Sequence, residues 1–390
     1  MFKKLSLILF IFFSSSYLFA ANTVESSDQI IKQLTIYVPG AIGGGYDHTA
    51  KVFRSVLLDE KLVEEVKIIN IIGAGGTLAL THFIHNDFQS EYTILLGGRS
   101  MMGAGLYNNS QVSILQTTAI ARLNGKPLAI AVPNDSPIKT IEDLFDGMLT
   151  DISSIKWIGG SAGAADNVFL KDLLNIMKLD SDEFNYHPVP GGGNAVSEQL
   201  ISGNYTAAVS TLDELLDLYN DVLIRIIAVT SSHRVKNMNV PTLTEIGIDL
   251  SLLDWHGVFV SQKTDMLMKQ RLIDLIVQLT NSHKWQSALK DKQWENNFLV
   301  GQEFVDFVSE EQLKLATRFQ QLPSNKTTKH NFNEQIVSLL NTPFRWAIYI
   351  AFLCLLLLIT LFILKLQSVS REVKLQDNLN RIELENQLNK

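Results

Sequence analysis

The segment Pro39–Asp47, Pro-Gly-Ala-Ile-Gly-Gly-Gly-Tyr-Asp, constrains this chain more than any other. It follows a strand-like apolar run, Leu34–Val38, and leads into a helical pattern over His48–Leu58. Glycines placed between a strand and a helix let the backbone approach a ligand, and the first N–H groups of the helix have no internal partners. That arrangement is an anion site. It recurs along the chain. Gly73–Thr77 lies between strand-like Val66–Ile72 and helical Leu78–Ile84. Gly159–Gly163 lies between Ile155–Ile158 and Asn167–Met177, and Gly191–Gly193 between Phe184–Pro188 and Ala195–Ile201. Strands alternating with helices predict an α/β fold built on parallel sheet. Further strands are expected at Tyr92–Leu96, Leu128–Val132, Ala207–Ser210, Ile224–Thr230 and Trp255–Ser261, and helices at Asp265–Asn281 and Gly301–Leu322. The block from about residue 127 repeats the architecture of the first, which predicts two α/β domains, within the roughly two to three that the length allows.

The two ends carry different signals. Lys3 and Lys4, the apolar run Leu5–Phe13 and the small pair Ala20-Ala21 read as a signal peptide over 1–21. Trp346–Leu364 is apolar apart from Tyr349 and Thr360 and is bracketed by Arg345 and Lys365, so a membrane-spanning helix is expected over 345–365. Lys365, Arg371 and Lys374 beyond it favour a cytoplasmic end, with a short helix over 366–390; a polar linker, 323–344, precedes the span. The lone cysteine, Cys354, rules out a disulfide within the chain. A net charge of −7 without a basic patch argues against nucleic acid as a partner. There is no P-loop, and Gly73-Ala74-Gly75-Gly76 lacks the full dinucleotide fingerprint, so no cofactor is expected. His82 and His85 have a spacing zinc can use, but no cysteine or dense carboxylate set accompanies them, and no metal site is expected.

Taken in order, these motifs resemble the periplasmic substrate-binding proteins of tripartite tricarboxylate transporters, the TctC or Bug type. The first loop of that family reads Val-Pro-Phe-Ala-Pro-Gly-Gly-Gly-Thr-Asp, and Val38, Pro39, Ala41, Gly43, Gly44, Gly45 and Asp47 match it. Gly73–Thr77 resembles its Gly-Ala-Gly-Gly-Thr stretch, Gly160–Gly163 its Gly-Ser-Ala-Gly, and Gly191–Gly193 its second-domain glycine loop. Ala228–Ser231, Arg234, Val240–Thr242 and Glu245–Gly247 also look like the family, so the resemblance covers about 34–322. It implies a two-lobed, type II-like periplasmic-binding-protein fold, with lobe 1 over 34–126 and 239–322 and lobe 2 over 127–238. It also implies a receptor without catalytic duty. The cleft would take a small organic carboxylate, using backbone N–H groups and helix N-termini from both lobes. The ligand-binding residues implied are Ala41, Gly43, Gly44, Gly45, Tyr46, Asp47, Gly76, Thr77, Arg99, Ser161, Ala162, Gly163, Asp166, Gly192 and Gly193. The implied partners are integral-membrane transporter subunits or, given the added span, a membrane sensor partner.

The chain departs from the family at Gly40, Ile42 and Tyr46 in the first loop, and at Ala165 and Asp166, where Gly and Ser are commoner. Asp166 reads either as a helix cap or as a charge that disfavours a second ligand carboxylate and suits an amine or hydroxyl; Asp47 carries the same alternatives. Arg99 is either a bidentate carboxylate holder or a surface residue, and Trp255 either lines the cleft or packs in the core. Gly159–Gly163 also fits the nucleophile elbow of an esterase, with Ser161, Glu245 and His256 in a permitted order. That reading leaves the other glycine loops unexplained.

Overall fold

The computed structural model describes residues 30–86, 92–180, 183–189 and 191–321. The expected signal peptide, linker, membrane span and C-terminal helix lie outside these residues. Among the described residues no helix is long and apolar enough to cross a membrane.

The elements alternate as expected. Strand β1 (Ile31–Val38) leads to helix α1 (Gly45–Asp59). Then come β2 (Val63–Asn70), α2 (Thr77–His85), β3 (Thr93–Gly98) and α3 (Arg99–Tyr107). Strand β4 (Thr117–Pro133) follows, then α4 (Ile141–Thr150), β5 (Trp157–Gly159), α5 (Ala165–Met177), β6 (Tyr186–Pro188) and α6 (Gly193–Ile201). The chain continues through β7 (Ala207–Thr211), α7 (Leu212–Asn220), β8 (Ile224–Val229) and β9 (Leu253–Ser261). The described residues finish with α8 (Met266–Asn281), α9 (His283–Asp291), β10 (Leu299–Val300) and α10 (Gln302–Gln321).

Strand β4 organises the whole. It is 17 residues long, where the apolar pattern alone predicts only Leu128–Val132. Gly125-Lys126-Pro127 breaks that pattern, yet Thr117–Pro127 pairs antiparallel with β9, and Leu128–Pro133 pairs with β7 and β8. One strand thereby belongs to two sheets. On the first side β9 joins β3, and β3, β1 and β2 run parallel. On the second side β7, β5 and β6 run parallel. The result is two lobes, each an α/β sheet with helices on its faces.

The cores divide in the same way. Ile36, Leu57, Leu95, Phe259, Trp285 and Phe304 pack in the first lobe, and Trp157, Phe169 and Leu173 in the second. Val240, Leu243, Leu250 and Leu252 also pack in the second-lobe cores, so the segment 239–252, expected in lobe 1, sits with lobe 2. The return crossing is therefore at Leu252–Leu253. Thr230 secures it: its Oγ1 donates to the Leu252 carbonyl (2.5 Å) and accepts from the Leu128 N–H (2.8 Å). Trp255 is buried against Phe304 and Phe307, which settles it as a core residue.

Candidate functional site

The two lobes face each other across a cavity of about 360 Å³, and the glycine loops form much of its wall. On the first lobe, α1 starts one turn earlier than the apolar pattern predicts, because extended Gly44 (φ −86°, ψ 171°) acts as its N-cap. Gly45, Tyr46 and Asp47 thus form its first turn, where N–H groups have no helical acceptor. Asp47 turns back from that position. It accepts from the Gly43 N–H (2.8 Å) and Asn70 Nδ2 (3.1 Å) and pairs with Lys51 (2.7 Å). Burial alone would raise its carboxyl; these donors outweigh burial and hold it below the ordinary value. Asp47 therefore stiffens the loop from behind and does not line the cavity. Thr77 has a similar supporting role, with Oγ1 donating to the Ala74 carbonyl (2.9 Å) beneath the second loop.

On the second lobe the chain's own carboxylates occupy the loop donors. The Asp166 carboxylate accepts from the Gly160 N–H through Oδ2 and from the Asn167 N–H through Oδ1 (2.9 Å). Tyr186 Oη lies 3.4 Å from the same Oδ2. Burial is the main influence on this group; with Asp254 and Glu214 nearby, it pushes the carboxyl up to about 7 against those hydrogen bonds. At the start of α6, the Gly193 N–H donates to Glu214 (3.0 Å), whose other oxygen accepts from Ser210 and from Thr211 (3.0 Å).

Between the lobes lies a polar floor built on β9. Its period-two alternation points Asp254 and His256 into the cavity and Trp255 into the core. Ser100 donates to both oxygens of Asp254, through N (3.1 Å) and Oγ (3.0 Å), while its Oγ accepts from the Ala165 N–H of the other lobe (3.1 Å). His256 is buried, which lowers its pKa, and its Nδ1 lies 2.8 Å from Thr49 Oγ1. The ring of Tyr46 stacks on it with centroids 4.1 Å apart. The Tyr46 hydroxyl accepts from the Met101 N–H (3.3 Å) rather than reaching into the cavity. Beneath this floor, Lys126 of β4 is fully buried and donates to the Gly45 carbonyl (2.8 Å) and to Asp213 of α7 (3.1 Å). It thereby ties one lobe to the other.

Of the residues implied by the resemblance, Ala41, Gly44, Gly45, Tyr46, Gly76, Ser161, Ala162, Asp166, Gly192 and Gly193 line the one cavity. Gly43, Asp47, Thr77 and Gly163 do not line it. Arg99 is drawn away altogether, into an ion pair with Glu311 of α10. Ser100, Glu214, Asp254 and His256 are lining residues that the glycine motifs do not reveal. Asp254 lies just before the expected strand Trp255–Ser261, and the observed strand, which starts at Leu253, takes it in. The elbow-like Gly159–Gly163 does not assemble a triad: Glu245 is exposed and held by Arg234 and the Thr242 N–H, and His256 is engaged by Thr49. His82 packs on Tyr37, and His85 donates to the Thr81 carbonyl.

The model of one protein family, the tripartite tricarboxylate transporter family receptor, matches residues 52–322. The chain is 23% identical over 256 residues to the UPF0065 protein in gbd 5'region of Cupriavidus necator, which covers 64% of this chain and 75% of that protein. Among solved structures, the periplasmic binding protein BugD superposes with a TM-score of 0.67 at 20% identity, covering 75% of this chain and 97% of the other. MatC from Rhodopseudomonas palustris, with bound malate, gives a TM-score of 0.64 at 19% identity over 74% of this chain and 99% of its own. A second R. palustris protein, with adipate, gives 0.65 at 18% over 74% and 97%. These likenesses share the two-lobed periplasmic-binding fold seen here, and with the match over 52–322 they establish that the chain belongs to the tripartite tricarboxylate transporter receptors, which bind solutes and are not enzymes.

Proposed function

We propose that this protein is an exported, membrane-tethered receptor that captures a small organic carboxylate between its lobes and presents it to a tripartite tricarboxylate-type transporter. The observation that carries the reading is the start of α1. Gly45 and Tyr46 line the cleft, and their N–H groups begin a helix without helical acceptors. A carboxylate placed there meets backbone donors and the positive end of a helix dipole, and needs no arginine. The malate and adipate held by neighbours of the same fold support the same class of solute. Export rests on the segment 1–21 and tethering on the apolar segment 345–365. A tether raises the receptor's local concentration near a membrane partner.

The test is a thermal-shift series on the full-length chain with malate, citrate, adipate, aspartate and glutamate. A bound solute raises the melting midpoint by mass action. No shift with any of them overturns the carboxylate reading. Removing residues 345–390 separates delivery from signalling. Uptake of the solute persists if the protein delivers it, whereas a solute-dependent transcriptional response that disappears identifies the chain as a sensor's input.

A further inference from the structure

The charges around the cleft are one-sided. Apart from Tyr46, its ionisable lining residues are Asp166, Glu214, Asp254 and the buried His256; no lysine or arginine lines it among the described residues. The nearest buried cation, Lys126, is already bound to Asp213 and the Gly45 carbonyl, and Arg99 is bound to Glu311. Asp166 and Asp254 come from opposite lobes and approach through Ser100, which bonds Asp254 and takes the N–H of Ala165, the neighbour of Asp166. Asp166 is nine-tenths buried and raised by burial and by the charges of Asp254 and Glu214, with no cation to offset them. Among the described residues no group of acidic or histidine side chains is arranged to hold a metal ion. The counter-charge that this wall lacks therefore belongs to the solute.

The donors are one-sided too. The Gly160 and Gly193 N–H groups of lobe 2, which the family resemblance would turn toward a ligand carboxylate, already donate to Asp166 and Glu214. At the first turn of α1 in lobe 1 the Gly45 and Tyr46 N–H groups are not taken up in this way, although Glu214, held by Gly193, stands across from Gly45. From this we propose, building on the carboxylate reading above, that the solute is a small aminocarboxylate, its carboxylate on the α1 turn and its protonated amine toward Asp166 and Asp254. A second carboxylate in that place would meet like charges at close range, and a juxtaposition of that kind discriminates strongly against a ligand. An ammonium there forms charge-assisted hydrogen bonds and favours the ionised form of Asp166.

Calorimetric titration of the full-length chain with matched probes tests this: aspartate against succinate, glutamate against glutarate, and 4-aminobutyrate against butyrate and butylamine. In at least one pair the amino acid should bind about ten- to hundredfold tighter than its amine-free partner. Asp166→Asn and Asp254→Asn, each first shown to melt cooperatively, should bring that pair toward parity; if one variant does not fold, the wild-type pairs and the other variant still decide. An amine-free acid that binds as tightly as its amino partner in every pair that binds overturns the amine and leaves the carboxylate reading standing. Butylamine binding as tightly as 4-aminobutyrate overturns the carboxylate on which the proposal rests. If no probe binds, both fall.

Discussion

Asp166 keeps its proton over a pH range in which an exposed aspartate has lost it. Burial and the neighbouring carboxylates push it from 3.8 to about 7. Because the folded state binds the proton more tightly than the unfolded chain, Asp166 costs no stability at low pH. As pH rises from about 4 to about 7 the cost grows, by about 1.4 kcal/mol for each step of one in pH. The expected outcome is that Asp166→Asn gains stability relative to wild type across that window and stays level above it. Urea titrations at a series of pH values check this, and a difference independent of pH would contradict it. At this scale the sequence was half legible. The loop glycines announce themselves, since few other residues serve between a strand and a helix. Glu214 and Asp254 do not, because their roles depend on contacts 21 and 154 residues away. Arg99 misleads for a related reason: its position after β3 suits a ligand, but Glu311, far along the chain, claims it.

Among the elements, α7 and β4 meet through a buried ion pair, and the first glycine loop meets α6 through bare backbone. Asp213 is held below the ordinary carboxylate range, Lys126 and His48 outweighing its burial. Lys126→Met leaves that carboxylate buried with only His48 and the Thr211 hydroxyl beside it and should lower stability by about 3–5 kcal/mol. Adding Asp213→Asn should recover part of the loss, read from the two denaturation midpoints. The loops approach so closely that a Cβ on Gly192, at φ 76°, would sit 2.8 Å from the Gly44 Cα. Gly192→Ala should therefore resist closure and weaken binding of any cleft solute by about tenfold, or 1.4 kcal/mol. Gly203 has the same φ with open space around it, so Gly203→Ala imposes the backbone strain without the block and should leave affinity unchanged. Most elements were readable from period and glycine punctuation. Strand β4 was not, because Gly125, Lys126 and Pro127 look like a break. The structure tolerates them because the Lys126 charge is neutralised internally and Pro127 lies at the point where β4 leaves β9 for its second sheet.

For the molecule as a whole, sharing one strand makes the lobes interdependent. The two halves of β4 are continuous, so if either lobe unfolds, the half of β4 in the other sheet is left with an unanchored end. The described lobes form a single compact unit through residue 319, and calorimetry is expected to show them melting in one transition. Two separated peaks would contradict this. The tether is testable at the same scale: the full chain should fractionate with membranes, and a chain ending before residue 345 should not.

The second lobe enters at Leu128 and leaves at Leu252, a single unbroken run of sequence, whereas the first is assembled from the segments on either side. Asp166 and Glu214 both lie within that run, while the α1 turn and Asp254 lie outside it. In the binding mode proposed above, part of the charge preference is therefore written in a stretch of the gene separate from the one that writes the grip on the carboxylate. Exchange of one contiguous cassette between relatives would alter which second group the receptor accepts and leave its grip on the carboxylate in place. Diversification by recombination has in this architecture only two junctions to respect, both at the crossing that Thr230 secures.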